Sequence, residues 1–183
     1  QVYHNELKNL QRIKDLKWSV LYKNILSDVT KNAVALYMVE LLQKCLKQPE
    51  NNEDLFHFCE DAFLQLDISD NEVTANFPIY FSFQIAQILG FRLLDNYSEE
   101  KNIFNLYEGK FSNENAASSD QLSIEISYHI SQLLKAIHPQ DLREIKMNRN
   151  IRSAILKNME SYYSWHIPEF GSMKTLGVLS EIL

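Results

Sequence analysis

From Ala75 to Leu89 the chain is apolar on nearly every side of a helix, and such a helix has to be surrounded by other elements. Thr74 precedes it, Pro78 falls in its first turn and Gly90 stops it. The longer apolar stretch from Phe77 to Phe91 is interrupted by Pro78, Ser82, Gln84 and Gln87 and falls short of a bilayer span. A buried central helix is the reading that fits, and it implies no membrane association. Glycine and proline number only four each in 183 residues. An all-β fold needs turn residues every few positions, so this scarcity favours helices joined by short polar loops. The expected fold class is mainly α: a compact multi-helix domain around a central apolar helix, with a small hairpin insertion and a residual N-terminal β segment.

The flanking elements follow from periodicity. Val34, Met38, Leu41, Leu42 and Cys45 share one face of a helix over about Thr30 to Lys47, ended by Pro49 and Asn51-Asn52. Leu55, Cys59, Ala62 and Leu66 form the stripe of a second, from about Asn52 to Leu66, with Glu53 and Asp54 in its first turn. Leu122, Ile126, His129, Ile130, Leu133, Leu134 and Ile137 make a broad stripe behind Ser119-Asp120, ended at His138-Pro139. Pro139 suits the start of a short helix through Lys146. Asn148 can cap the next helix, whose stripe is Ile151, Ile155, Met159, Tyr162 and His166; Pro168 stops it, and Ser172 can cap a last helix through Leu183.

The segments Gln1 to His4 and Leu10 to Lys14 read as arms of a hairpin, and Trp18 to Leu26 as a connector whose large side chains dock on the core. Ile103 to Leu106 and Lys110-Phe111 flank Tyr107-Glu108-Gly109 as a small hairpin or compact loop. Residues 113–119, polar and small, are the expected mobile segment.

Charge is unevenly placed. Residues 1–49 carry eight Lys/Arg against four Asp/Glu, residues 50–125 three against fifteen, and residues 126–183 seven against five. The ends are basic and the middle acidic, and local charge governs phosphate contacts. Cys45 and Cys59 lie on apolar stripes and read as core thiols, with no disulfide framework and a reducing, cytoplasmic setting. The chain opens without Met or a signal-peptide pattern and is expected to be a fragment lacking an N-terminal region. A nucleophile elbow, a P-loop, a His-Glu-x-x-His helix and paired Cys motifs are all missing, so no enzyme is expected. Glu99, Glu100 and Glu108 read as solvated carboxylates rather than a metal site.

The C-terminal run Tyr162-Tyr163-Ser164-Trp165-His166-Ile167-Pro168-Glu169-Phe170-Gly171-Ser172-Met173-Lys174-Thr175-Leu176 resembles the end of the bacterial RecO family, in which a Tyr-rich helix runs into His-Leu-Pro and a Lys-Ser/Thr-Leu segment. The resemblance extends over nearly the whole chain and is to the Bacteroidetes type. Residues 9–14 resemble the end of the family's N-terminal OB-fold and residues 35–42 the first helix of its helical domain. Ala75-Asn76-Phe77 with Leu89-Gly90-Phe91 is similar to its central helix and residues 104–111 to its short hairpin, and residues 146–152 with the C-terminal run complete the resemblance. The resemblance implies two parts: residues 1–18 as a remnant of the OB-fold, and residues 19–183 as the α-helical domain. It also implies a recombination mediator that binds single- and double-stranded DNA, partners RecR, engages the single-stranded-DNA-binding protein SSB, promotes RecA loading and anneals strands. Many members carry a four-cysteine zinc site. Here residues 92–118 contain neither Cys nor His, so a hairpin or loop stands in its place and no metal or other cofactor is expected.

The basic set Lys146, Arg149, Arg152, Lys157 and Lys174 is the expected binding surface, with Tyr163 and His166 beside it. Arg149 and Arg152 share a helix face near its N-terminus, where guanidinium groups suit phosphate or carboxylate oxygens. The alternative is a solvated face balanced by Asp141, Glu144 and Glu160. Two ligands fit the first reading: DNA, held through phosphates, or the acidic tail of SSB, seated in an apolar pocket with a basic rim. Tyr162, Tyr163, Trp165, Ile167 and Phe170 are the candidates for that pocket, Tyr163 before Tyr162, which lies on the buried stripe. His166 is read either as functional or as closing its helix by a hydrogen bond. His129 is expected to be a satisfied, partly buried histidine. A helical protein–protein adaptor without direct DNA binding is the competing function.

Overall fold

A computed structural model describes residues 2–48, 51–113 and 120–183. The expected mobile stretch falls mostly on residues 114–119, outside the described residues. The elements are a hairpin of β1 (Val2–Tyr3) and β2 (Arg12–Ile13), helices α1 (Val29–Cys45), α2 (Glu53–Ile68) and α3 (Asn71–Ile88), then a hairpin of β3 (Ile103–Asn105) and β4 (Lys110–Ser112). Helix α4 (Ile124–Leu134), a 3-10 turn (Pro139–Glu144), α5 (Arg149–His166) and α6 (Thr175–Ile182) complete the chain. The fold is mainly α, and α3 is its centre.

Helix α3 packs against α1, α2, α4, α5 and the 3-10 turn, with Phe77, Ile79, Phe81, Ile85 and Ala86 wholly buried. Its buried polar groups are mostly paired within the fold, the Asn76 Oδ1 being buried without a hydrogen-bond partner among the described residues. Ser82 Oγ donates to the Pro78 carbonyl (2.8 Å) and accepts from the Tyr37 hydroxyl (2.7 Å), while the Asn76 amide donates to the carbonyls of Leu142 and Ile145. The helix starts four residues before the expected Ala75, because Asp70 rather than Thr74 caps it by accepting from Val73 N–H (2.9 Å). Pro78 therefore lies two turns inside the helix, where it cannot donate to the Thr74 carbonyl.

Local side-chain caps set most of the other helix starts. Asp28, Asn52, Ser123 and Asn148 each accept from the backbone N–H three residues on. Ser123 thus starts α4 three residues later than a helix behind Ser119-Asp120 would, leaving Leu122 to pair its backbone with Phe104. The segment after Pro139 is a six-residue 3-10 turn, shorter than the helix expected through Lys146. Helix α6 starts at Thr175, not behind Ser172, and its N-cap residue Lys174 supplies no capping side chain.

The connector before α1 docks by two residues only. Ile25 is buried and Tyr22 packs its ring 6.3 Å from Phe63, whereas Trp18, Leu21 and Leu26 are exposed, Trp18 by 78%. What holds this segment is polar: the buried Asp67 carboxylate accepts the backbone N–H groups of Lys23, Asn24 and Ile25 at 2.8–2.9 Å. Burial opposes the charge on Asp67, but the three amides and the Lys31 cation outweigh it and hold its pKa below the ordinary carboxylate value. The β3–β4 hairpin is pinned by Asn96, whose amide pairs both ways with the Phe111 backbone.

Candidate functional site

Helix α5 turns Ile151, Ile155, Met159 and Tyr162 into the core. Its opposite ridge, Arg149, Arg152, Ser153, Leu156, Lys157 and Glu160, repeats at three- and four-residue steps and so faces one neighbour. That neighbour is α6. The loop between them is clamped by four side chains. Lys44 Nζ donates to the Phe170 carbonyl (2.9 Å), Lys47 Nζ donates to the Glu169 carbonyl (3.3 Å), and Glu160 accepts from Met173 N–H (2.5 Å). The fourth is Glu40 of α1, which accepts from the N–H groups of Lys174 and Thr175 and from the Thr175 hydroxyl. Two left-handed residues, Glu169 and Gly171, turn the chain back so that this can happen.

Between α5 and α6 lies a cavity of about 290 Å³. Leu156, Met173, Leu176, Leu179 and Leu183 supply its apolar walls, and Arg149, Arg152 and Lys157 its basic rim. Glu160 sets one carboxylate against these three cations. Arg152 is half-buried and donates through Nη1 to the Met147 carbonyl (2.7 Å) and through Nη2 to the Leu183 carbonyl (2.5 Å). Its Nε is buried without a hydrogen-bond partner among the described residues. Burial lowers the Arg152 pKa from its ordinary value, but a guanidinium starts so high that it stays charged. Arg149 Nε donates to the Ser180 carbonyl. An apolar slot rimmed by guanidinium and ammonium groups suits an acidic segment that also carries an apolar side chain.

The structure brings together three of the expected site residues, Arg149, Arg152 and Lys157. It separates the other four. Lys146 forms an ion pair with Glu72 (3.0 Å) outside the α5–α6 cavity. Lys174 is exposed at the start of α6 but does not line the cavity. His166 ends α5, about 25 Å along the axis from Arg149. Its ring stacks on Phe91 at 4.8 Å, and the bond closing the helix is main-chain, from Ile167 N–H to Tyr163 O. Tyr163 is a correction. It is 1% exposed, donates to the Ser82 carbonyl (2.7 Å) and stacks on Phe170, so it packs the core rather than lining a pocket.

Sequence reasoning had overlooked Ser153, Leu156, Met173, Leu176, Leu179, Ser180 and Leu183 as cavity walls, and had placed Glu160 only among balancing acids. Extending the Arg149–Arg152 spacing along α5 in further three- and four-residue steps would have found the α5 half. Among the described residues no cluster of three or more His, Cys, Asp or Glu suits a metal, and Glu108 pairs with Lys110 (3.2 Å). Burial pushes the Cys45 thiol up to about 12 and the Cys59 thiol up to about 11, the environment of inert core thiols. His129 is half-buried, and desolvation lowers its pKa against the opposing pull of Glu125. Among the described residues no helix is long and apolar enough to cross a membrane.

Comparison with known proteins bears on this geometry. Residues 26–175 match the family model described as recombination protein O C terminal. The chain is similar to the DNA repair protein RecO of Christiangramia forsetii, 32% identical over 94% of this chain and 70% of that protein. It is also similar to the DNA repair protein RecO of Flavobacterium psychrophilum, 30% identical over 100% of this chain and 74% of that protein. The DNA repair protein RecO of Azobacteroides pseudotrichonymphae is 22% identical over 100% of this chain and 75% of that protein. No solved structure matches significantly.

Proposed function

Because this chain belongs to the RecO family of DNA repair and recombination proteins, we propose that it is the helical domain of a recombination mediator that captures the acidic tail of SSB between α5 and α6. The observation that carries this is the pairing of an apolar slot with Arg149, Arg152 and Lys157 on its rim. The tail's acidic residues meet the rim, its terminal aromatic side chain enters the slot, and its carboxylate meets a guanidinium. With RecR, and with DNA held through phosphates, the protein then promotes RecA loading and strand annealing in the cytoplasm, without bond-breaking chemistry of its own. Residues 1–18 are the end of an OB-fold. Val2, Tyr3, Leu7, Leu10, Ile13 and Trp18 are all exposed, and a two-stranded hairpin that exposes apolar side chains calls for further strands.

Fluorescence anisotropy with a labelled acidic peptide ending in Phe tests this reading. Arg149→Ala with Lys157→Ala should weaken binding about tenfold or more, and added salt should weaken the wild type further. Affinity unchanged by the pair of substitutions removes the α5–α6 cavity from the account. An adaptor that binds protein without DNA is the second reading. The absence of any Lys or Arg from residue 48 to residue 91 favours it.

A further inference from the structure

A larger cavity lies elsewhere, where the end of α1 meets the start of α2. It holds about 590 Å³ and is walled by Leu42, Leu46, Leu55, Phe56, Cys59 and Leu89. Two of its large apolar side chains stand open to solvent, Phe56 by 64% and Leu46 by 45%. The flank of this groove is strongly acidic. Residues 48–91 contain eight Asp/Glu and no Lys or Arg. Three of the eight are engaged within the fold: Asp67 by the connector amides, Asp70 by Arg143 and Glu72 by Lys146. Glu53, Asp54, Glu60 and Asp61 remain exposed on α2, and among the described residues none of them pairs with Lys or Arg. Glu53, Phe56 and Glu60 follow at three- and four-residue steps, so the acids run alongside the apolar opening. Lys47, at the other edge, is turned away to the Glu169 carbonyl.

We infer that this groove is a docking surface for a basic amphipathic helix of a partner protein. The apolar stripe of such a helix fills the space over Leu46 and Phe56, and its Lys or Arg residues meet Glu53 and Glu60. Nucleic acid is excluded by charge, since phosphates would face carboxylates. A second copy of this chain does not fit either, because its basic helix, α5, has its apolar face (Ile151, Ile155, Met159, Tyr162) already buried in its own core. The inference is independent of the SSB-tail reading and uses none of the same residues.

The test titrates the full chain, ¹⁵N-labelled, with a synthetic amphipathic helix of Leu and Lys. A peptide of the same composition in scrambled, non-amphipathic order is the control. Amide shifts should cluster around Leu46, Phe56 and Cys59. Phe56→Ser should weaken binding about tenfold. Glu53→Gln with Glu60→Gln should weaken it several-fold at low salt. Phe56 is exposed, so circular dichroism and thermal unfolding should show each variant folded. The acidic Phe-ended peptide should not compete. Equal affinity for the scrambled peptide, shifts centred elsewhere, or indifference to Phe56→Ser would overturn the inference. So would concentration-dependent self-association that maps to this groove.

Discussion

The Glu40 carboxylate accepts both the backbone N–H (2.9 Å) and the hydroxyl (2.6 Å) of Thr175, the first residue of α6. With the Lys174 N–H (2.8 Å) on its other oxygen, a residue of α1 provides the cap that α6 lacks in its own sequence. Burial works against the charge on Glu40, but the Thr175 hydroxyl and the two amides prevail and hold its pKa below the ordinary carboxylate value.

Glu40→Ala should therefore cost about 1–2 kcal/mol, the usual worth of a helix cap, and should loosen the α6 wall of the cavity. A depressed folded-state pKa stabilises the protein above the unfolded-state value, and that contribution is lost as pH falls through the folded-state value. Urea unfolding from about pH 7 down to about pH 3 should show wild type losing more stability than Glu40→Gln. Parallel pH profiles for the two proteins would show that the Glu40 charge contributes nothing.

Asp67 plays the same part for the connector. Asp67→Asn keeps the shape but turns an amide N–H₂ toward backbone N–H donors, and it leaves Lys31 buried beside a neutral group. A loss of roughly 3 kcal/mol is expected, since the lost bonds are charge-assisted. Residues 19–28 should become more open to proteolysis. Unchanged cleavage there and an unchanged unfolding midpoint would mean that Tyr22 and Ile25 suffice to hold the segment.

These two carboxylates also mark the limit of what the sequence displays. Helix identity was legible because α1, α2, α4 and α5 each carry an apolar stripe and all four are capped by local side chains, as at Asn52 and Asn148. The central position of α3 was legible from its all-round apolarity. The start of α6 was not, because its cap comes from a residue 135 positions earlier in the chain. The cavity was half legible: Arg149, Arg152 and Lys157 stand out as a basic ridge. Its apolar walls on α6 read only as core. Tyr163 was misplaced because periodicity leaves it beside the stripe, while the fold closes over it with Phe91 and Phe170.

Gly109 is fixed by a single close approach. Its φ is +63°, and a β-carbon there would lie 2.7 Å from the Tyr162 hydroxyl, which is held by the Phe91 carbonyl (2.7 Å). Gly109→Ala should cost about 2–3 kcal/mol, part from the left-handed backbone and part from displacing that hydroxyl. Tyr162→Phe removes the obstruction but not the strain. In the double mutant the penalty of Gly109→Ala should shrink by about 1 kcal/mol, read from a double-mutant cycle by chemical unfolding. Strict additivity would show that the two residues do not meet.

Arg152 and Lys157 line the same cavity, yet their substitutions should separate. The Arg152 fork ties the Met147 carbonyl before α5 to the Leu183 carbonyl after α6, a geometry that one ammonium group cannot reproduce. Arg152→Lys should thus lower stability by about 1–2 kcal/mol. Lys157 is exposed, and Lys157→Ala should change stability by no more than about 0.5 kcal/mol. Its effect should appear in binding: a several-fold weaker acidic peptide and a shallower dependence on salt, because one cation has left the rim. Calorimetric unfolding paired with anisotropy at two salt concentrations distinguishes the two roles. Arg152→Lys as stable as wild type would remove the fork from the α5–α6 joint. Lys157→Ala with unaltered affinity and salt response would place Lys157 among the merely solvated charges.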